Sequence, residues 1–154
     1  MNKAFKIILV SFMLLCGCQK QESYQSSYKQ TNQTQKEDNL MEQRTLKINN
    51  QSFSIDLEDN ETVQKFIELL PLTMDMQELN GNEKYYYMET SLPTNSENVG
   101  YIEAGDIMLF GDNCLVLFYK SFSTSYSYTR IGRMENVENL ETYVGQQNIT
   151  VTIE

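Results

Sequence analysis

The sequence predicts a mainly β protein, a small closed barrel of about eight strands capped by two short helices. Apolar and polar residues alternate in most segments after residue 44, which is the period of a half-buried strand. A helical period occurs in only two short segments. So many strands in one small domain favour a closed barrel, because closure leaves no exposed edge strand.

Strands are predicted where alternation or a short apolar run is bounded by turn residues. They comprise residues 45–48, 52–57, 72–76, 84–88, 107–110, 114–119, 126–134 and 148–153. Asn49-Asn50-Gln51 predicts a hairpin turn between the first two strands. Gly111-Asp112-Asn113 predicts the tight connection before the sixth.

Two helices are predicted between strands. Asn60 can cap the first helix, whose residues Val63, Phe66, Ile67 and Leu70 fall on one face and which Pro71 ends. The second helix is predicted over residues 137–144 and ends at Gly145, since glycine is favoured just past a helix terminus.

The N-terminus predicts a secretory signal. A short basic segment leads into an apolar run that is too short for a permanent membrane span. Gly17-Cys18 follows, and this small residue before a cysteine resembles the lipobox of bacterial lipoproteins, in which that cysteine is diacylated and becomes the first mature residue. Cys16 fits less well because Leu15 precedes it. The alternative is a plain secretory signal with an accidental cysteine.

The predicted organisation is a signal peptide (residues 1–17), a disordered polar tether (residues 18–43) and one folded domain (residues 44–154). The predicted location is the cell membrane, with the protein lipid-anchored through Cys18 on the extracytoplasmic side. Removal of Lys3 and Lys6 with the signal takes the formal charge from −9 to −11. Such a chain repels phosphate backbones, so nucleic acid is not an expected partner.

The sequence predicts no metal, no cofactor and no catalytic residue. There is no histidine in the chain, which excludes Ser-His-Asp and Cys-His catalysis and ordinary zinc sites. Cys114 is the one cysteine of the predicted domain. It begins a run that is apolar on both alternating faces, which favours a buried, inert thiol over a nucleophile.

The predicted element order is that of cyclophilin, and several segments resemble the bacterial cyclophilin-like family. They are Asn80-Gly81-Asn82-Glu83-Lys84, Ser91-Leu92-Pro93-Thr94-Asn95, Gly105-Asp106-Ile107, Cys114-Leu115-Val116-Leu117-Phe118-Tyr119-Lys120 and Tyr128-Thr129-Arg130-Ile131-Gly132-Arg133. The resemblance spans residues 44–154 and implies the cyclophilin-like barrel. It implies no particular reaction, because the family has no settled activity.

The resemblance also bears on prolyl isomerase activity. True isomerases of the cyclophilin superfamily polarise the amide with an arginine flanked by Phe, Gln, Trp and His in a hydrophobic groove. This chain contains neither Trp nor His, and no arginine is followed closely by Phe and Gln. No catalytic residue is therefore carried over from that superfamily.

The best candidate for a binding surface is formed by Tyr126, Tyr128 and Arg130, which share one face of a predicted strand. Two phenols and a guanidinium can hold a peptide carbonyl or a carboxylate while the rings cover apolar groups. The alternative is that the tyrosines shield the barrel wall and Arg130 pairs with an acid. Tyr85-Tyr86-Tyr87 has the same two interpretations, and Arg133 is predicted to point away from Arg130.

Three functions fit the sequence. The first is a non-catalytic module that binds a peptide or small-molecule ligand outside the cytoplasm. The second is a weak or degenerate peptidyl-prolyl isomerase acting on exported proteins. The third is a structural or interaction subunit of an envelope system. An arginine over an open apolar groove would favour the second, and a filled groove would favour the third.

Overall fold

The computed structural model of the protein describes residues 43–154. The predicted signal peptide, Cys18 and the predicted tether up to residue 42 lie outside the described residues. Within the described part, no helix has the length and apolar character needed to cross a membrane.

Eleven strands and two helices follow one another along the described chain. They are β1 (Arg44–Ile48), β2 (Gln51–Leu57), α1 (Glu61–Ile67), β3 (Leu72–Leu79), β4 (Glu83–Tyr87), β5 (Glu97–Asn98), β6 (Tyr101–Ile102), β7 (Asp106–Phe110), β8 (Cys114–Phe118), β9 (Phe122–Ser123), β10 (Ser127–Met134), α2 (Leu140–Val144) and β11 (Ile149–Ile153).

Eight of these strands form a closed antiparallel barrel, which confirms the predicted fold class. The strand order is β2-β1-β11-β3-β4-β8-β7-β10, and pairing of β10 with β2 closes the ring. The short β5 adds to β10 outside the ring, and β6 pairs with β9 in a separate ribbon. Closure leaves each barrel strand with two neighbours, so backbone hydrogen bonds are satisfied on both sides.

Strand β8 separates the interior of the barrel from its outer face. Leu115 and Leu117 point into the main core, whereas Cys114, Val116 and Phe118 belong to a second apolar cluster on the outside. The same alternation continues in the paired strand β4, where Lys84 lies opposite Leu117. The run that looks apolar on both faces in the sequence is therefore buried on both faces.

Helix α1 begins as predicted and ends earlier than predicted. Asn60 Oδ1 accepts a hydrogen bond from the Val63 backbone N–H at 2.9 Å, so the predicted N-cap is confirmed. The helix ends at Ile67, and Leu70 lies beyond it. The N–H of Leu70 donates three residues back, to Ile67, which tightens the chain into a turn ahead of Pro71.

Helix α2 is shorter than the predicted residues 137–144 because Asn139 interrupts the predicted first turn. Asn139 has a φ of 62°, in the left-handed region that a right-handed helix cannot include. The helix therefore starts at Leu140. It ends as predicted, at Gly145 with a positive φ.

Candidate functional site

An open groove crosses the outer face of the barrel over β4, β8, β7 and β10. Its volume is about 330 Å³, and we call it the aromatic groove. Five aromatic rings line it, those of Tyr85, Tyr87, Phe110, Tyr126 and Tyr128, together with Leu79, Asn80, Glu83, Cys114 and Val116.

The rings of the aromatic groove meet at steep angles. Tyr85 and Tyr87 lie on the same face of β4, and their ring centroids are 5.7 Å apart with planes at 77°. Across the groove, Phe110 and Tyr126 have centroids 6.1 Å apart and planes at 87°. These are edge-to-face arrangements, which aromatic pairs prefer.

Exposed apolar surface is concentrated at this groove. Six large hydrophobic side chains of residues 43–154 are exposed, and four of them line it: Leu79, Tyr87, Phe110 and Tyr126. The Tyr87 and Tyr126 side chains are 62% and 63% exposed. Contiguous exposed apolar surface of this kind is typical of a binding site, whereas singly scattered residues are not.

Tyr128 forms part of the floor of the groove. It is buried, and its ring packs perpendicular to Phe118 at 5.5 Å and tilted against Phe110 at 5.7 Å. Burial raises the pKa of its hydroxyl to about 12, so the phenol stays neutral at physiological pH. A neutral hydroxyl can donate a hydrogen bond to a ligand while the ring provides apolar contact.

Glu83 is the only charged residue that lines the aromatic groove within residues 43–154. Its side chain points outward from β4, opposite Phe118 of β8, and the residue is 9% exposed. Burial raises the pKa of the carboxyl group, a hydrogen bond with the Asn80 side chain lowers it, and the nearby Glu78 raises it. The net shift is upward because desolvation dominates.

Arg130 lies in a different cavity from the two tyrosines with which the sequence groups it. This second cavity has a volume of about 340 Å³ and shares no lining residue with the aromatic groove. We call it the arginine cavity. It is lined by Asp56, Leu57, Glu58, Tyr101, Glu103, Asp106, Met108, Arg130, Gly132 and Arg133. Arg130 Nε contacts Glu97 Oε1 at 3.2 Å, which matches the alternative interpretation of an arginine paired with an acid.

The predicted orientation of Arg133 is wrong. Simple alternation places it opposite Arg130, but both side chains line the arginine cavity. The register of β10 against β7 shifts between Arg130 and Gly132, so one extra residue inverts the alternation beyond that point. Arg133 forms ion pairs there with Glu103 and with Asp106, the latter at 2.9 Å.

The structure offers no nucleophile at the aromatic groove. Cys114 is free and buried, and burial raises the pKa of its thiol, which disfavours the reactive thiolate. No cluster of metal-ligating side chains occurs in the part of the chain that the structure describes. The groove therefore combines five aromatic rings with one carboxyl group, that of Glu83.

Sequence reasoning missed Glu83, Leu79 and Phe110 as groove residues. For Glu83 a signal was present, because residues 83, 85 and 87 share one face of a strand at period two. For Phe110 no local signal existed. It reaches the groove only because β7 pairs with β8, β8 pairs with β4 and β10 pairs with β7.

The fold and its outer groove define the class of this protein, a small closed antiparallel barrel with an aromatic surface site. The sequence profile of the cyclophilin-like family matches residues 46–154, and the chain belongs to that family. A search of curated protein sequences finds no match.

Solved structures with a similar fold include the following two. The structure of McbB in complex with tryptophan aligns with a TM-score of 0.57 and 14% identity, over 73% of this chain and 44% of McbB. This chain therefore spans less than half the length of McbB. The solution structure of the hypothetical protein AF2241 from Archaeoglobus fulgidus aligns with a TM-score of 0.54 and 20% identity, over 73% of this chain and 93% of that protein. Identities this low indicate a shared fold and leave function to the site.

Proposed function

We propose that this protein is a lipid-anchored, extracytoplasmic binding module whose barrel holds a peptide or small molecule without catalysing a reaction. The observation that supports the proposal is the aromatic groove. Its volume of about 330 Å³ lies at the small end of the range for ligand sites, which is roughly 300–1,000 Å³. Exposed rings such as Tyr126 and Tyr87 supply large contact area with little side-chain entropy to lose.

The two alternative functions have less support. A weak prolyl isomerase needs an arginine over an apolar groove, but Arg130 and Arg133 line a cavity that contains four acidic residues. A purely structural subunit is favoured by a filled groove, but the aromatic groove is open. We therefore prefer the binding module to both alternatives.

The anchoring part of the proposal rests on Cys18. Its position after Gly17 and an apolar run is that of an acylated lipoprotein cysteine. A single acyl chain binds membranes marginally, whereas two or three chains anchor a protein stably. The acidic charge of the chain disfavours electrostatic docking on anionic headgroups, so the acyl chains would hold the protein at the bilayer.

We further propose that residues 18–43 act as a flexible tether for an independently folding domain. Their composition lacks the apolar residues needed for a core. About 25 flexible residues reach roughly 25–30 Å, which is enough to hold a small domain clear of the headgroups.

A chain lacking residues 1–43 should unfold cooperatively within a few degrees of the full-length melting temperature. A larger drop would show that the tether packs on the barrel.

Ligand binding is tested by ¹⁹F NMR on full-length protein that carries 3-fluorotyrosine. The chain has ten tyrosines, and single Tyr→Phe variants assign their resonances. A library of short peptides and small molecules should produce ligands that shift the signals of Tyr85, Tyr87, Tyr126 or Tyr128. Hits that leave all four unshifted would move the site elsewhere. A library without any hit would remove the support for a binding module.

Lipid anchoring is tested by mass spectrometry of membrane-extracted protein. The N-terminal mature peptide should begin at Cys18 and carry a diacylglyceryl group. Cys18→Ala should leave unprocessed precursor or release the protein from the membrane, whereas the matched variant Cys16→Ala should leave anchoring intact. An unmodified soluble chain that begins at another residue would refute the proposal.

A further inference from the structure

The carboxylate of Glu83 has an unusual place on the barrel. It lies on the outer face, where it lines the aromatic groove although the residue is only 9% exposed. A smaller cavity of about 230 Å³ adjoins the aromatic groove, and both cavities are lined by Asn80, Glu83, Tyr126 and Tyr128. The carboxylate thus lies where the two cavities meet and can be reached by a ligand in either one.

Among the residues that the structure describes, Glu83 forms no ion pair that would offset its burial. The ion pairs of the described chain join Lys47 to Glu154, Lys65 to Glu68, Lys84 to Glu78, Lys120 to Glu141, Arg130 to Glu97, and Arg133 to Glu103 and Asp106. None of these pairs within residues 43–154 includes Glu83. Lys84 is its chain neighbour, but it points into the barrel. A buried carboxylate without a counter-charge is costly, and an entering cation would relieve that cost.

The surrounding rings favour the same sign of charge. The face of an aromatic ring carries partial negative charge and attracts cations placed over it. Tyr85 with Tyr87 on one side and Phe110 with Tyr126 on the other supply two nearly perpendicular ring pairs around the groove. Aromatic rings and a carboxylate that line the same groove make an environment suited to an alkylated ammonium group, which has weak hydration and an apolar outer surface.

We propose that the ligand of the aromatic groove is a small organic cation whose alkylated ammonium head lies among the tyrosine rings and pairs with Glu83. This inference rests on the proposed binding function and specifies its ligand class. The proposed ligand is a cation, whereas the sequence suggests a carboxylate or carbonyl held by an arginine. The difference arises because Arg130 lies in the arginine cavity and not beside Tyr126 and Tyr128. The formal charge of −9 would also concentrate cations near the surface.

The test compares two probes of equal shape and different charge. Choline and its uncharged carbon isostere, 3,3-dimethylbutan-1-ol, are titrated into the full-length protein in dodecyl maltoside by calorimetry, at about 0.15 M salt to screen non-specific attraction. Choline should bind at least about tenfold more tightly than the isostere. Fluorotyrosine NMR under the same conditions should show choline shifting the Tyr126 and Tyr87 signals.

Three variants assign the effect to the groove. Glu83→Gln keeps the size of the side chain and removes its charge, and it should weaken choline binding at least about tenfold. Tyr126→Leu replaces a ring that is 63% exposed, and it should weaken binding about threefold to tenfold. The matched control Glu97→Gln removes an exposed carboxylate that pairs with Arg130, away from the aromatic groove, and should leave choline affinity unchanged.

The outcomes separate this inference from the binding function on which it rests. Equal affinity for choline and the isostere, with Tyr126 shifted by both, would overturn the cation assignment and leave the binding module standing. Choline binding that is unchanged by both Glu83→Gln and Tyr126→Leu would also overturn it. If neither probe binds, the cation assignment fails, and the peptide and small-molecule screen then decides the binding function by itself. Circular dichroism melts identify any variant that fails to fold, and Tyr126→Leu then carries the test.

Discussion

Asn60 Nδ2 donates a hydrogen bond to the backbone carbonyl of Arg130 at 3.0 Å. The same side chain caps α1 through its Oδ1. One amide therefore satisfies an orphan N–H at the start of α1 and a carbonyl of β10 beside the bulge. Capping residues commonly provide only the first of these bonds. Asn60 thus fixes the helix to the strand on which Arg130 is placed.

Substitution of Asn60 should separate the two roles. Asn60→Ala removes both hydrogen bonds and should lower the free energy of unfolding by about 2 kcal/mol. Asn60→Ser keeps a capping oxygen but cannot reach Arg130, so its loss should be about 1 kcal/mol. Urea unfolding measures both values. Equal stability of Asn60→Ser and the unsubstituted protein would show that the contact with Arg130 contributes nothing.

Gly132 is required where β10 meets β2 and closes the barrel. A Cβ at this position would overlap the carbonyl oxygen of Asp56 and lie 3.1 Å from the Cα of Leu57. Both obstacles are backbone, which cannot move without breaking the pairing of Gly132 with Leu57.

Gly132→Ala should therefore destabilise the domain by at least about 1–3 kcal/mol. The matched control is Gly111→Asn, because Gly111 has open space around it and a positive φ that asparagine tolerates. The control should cost much less than Gly132→Ala when urea midpoints are compared. A Gly132→Ala chain as stable as the control would show that the two strands can separate to accept a methyl group.

Barrel strands β1, β2, β3 and β11 could be predicted from the sequence because their burial alternates with period two, whereas β7 and β8 were indicated by short apolar runs between turn residues. The signal fails for β5, β6 and β9, which have two residues each. Two residues show no period, and these strands exist only through pairing with distant segments, as β5 pairs with β10. The end of α1 and the start of α2 were mispredicted for a different reason. They depend on backbone conformation, such as the left-handed Asn139, and hydrophobic period does not report it.

The candidate site was predicted in part. The sequence singles out Tyr126 and Tyr128, and the structure places both at one groove. It also places Tyr85 and Tyr87 there, because β8 lies between β4 and β7 in the sheet. That adjacency joins distant parts of the chain and is not visible in local periodicity. The grouping with Arg130 rested on strand alternation alone, which cannot show where one cavity ends and another begins.

A buried polar cluster connects β3 and β4 with the residue after β8 and with the segment between α2 and β11. Lys84 is fully buried and donates to the Glu78 carboxylate and to the backbone carbonyls of Gly145 and Gln147. The Tyr119 hydroxyl donates to Glu78 Oε1 at 2.9 Å. Burial would raise the pKa of Glu78, but hydrogen bonds from Lys84, Tyr119 and the Gly81 N–H outweigh it, and the net shift is downward.

Stability should therefore depend on the ionisation of Glu78. Because its pKa is lower in the folded protein, its contribution is complete above the ordinary carboxyl pKa and is lost as the pH falls through the folded value. Glu78→Gln should be less stable than the unsubstituted protein at neutral pH, and the difference should shrink towards about pH 3. Tyr119→Phe should cost about 1.5 kcal/mol at neutral pH, since it removes a hydrogen bond to a charged group.

Urea unfolding at several pH values measures these differences. The control Glu68→Gln breaks only an exposed ion pair with Lys65 and should change stability little at neutral pH and at acidic pH. A difference between Glu78→Gln and the unsubstituted protein that stays constant down to about pH 3 would contradict the role assigned to Glu78 ionisation.

Peptidyl-prolyl isomerase activity should be absent or far below that of true cyclophilins. Rotation about the peptide bond has a barrier of about 20 kcal/mol, and an enzyme lowers it by stabilising the twisted amide with a preorganised donor in an apolar site. Here Arg130 and Arg133 already contact Glu97, Glu103 and Asp106. Those carboxylates neutralise the guanidinium groups, and the cavity that a proline ring would have to enter is lined mainly by charged side chains.

The measurement is a protease-coupled assay with a proline-containing peptide, with a cyclophilin isomerase as positive control. The unsubstituted protein, Arg130→Ala and Arg133→Ala should all match the uncatalysed rate. Robust turnover that is abolished by Arg130→Ala would identify the arginine cavity as catalytic and favour the weak isomerase over the binding module. Turnover that survives both substitutions but is lost in Tyr128→Phe would place catalysis in the aromatic groove, where a buried neutral phenol is the available donor.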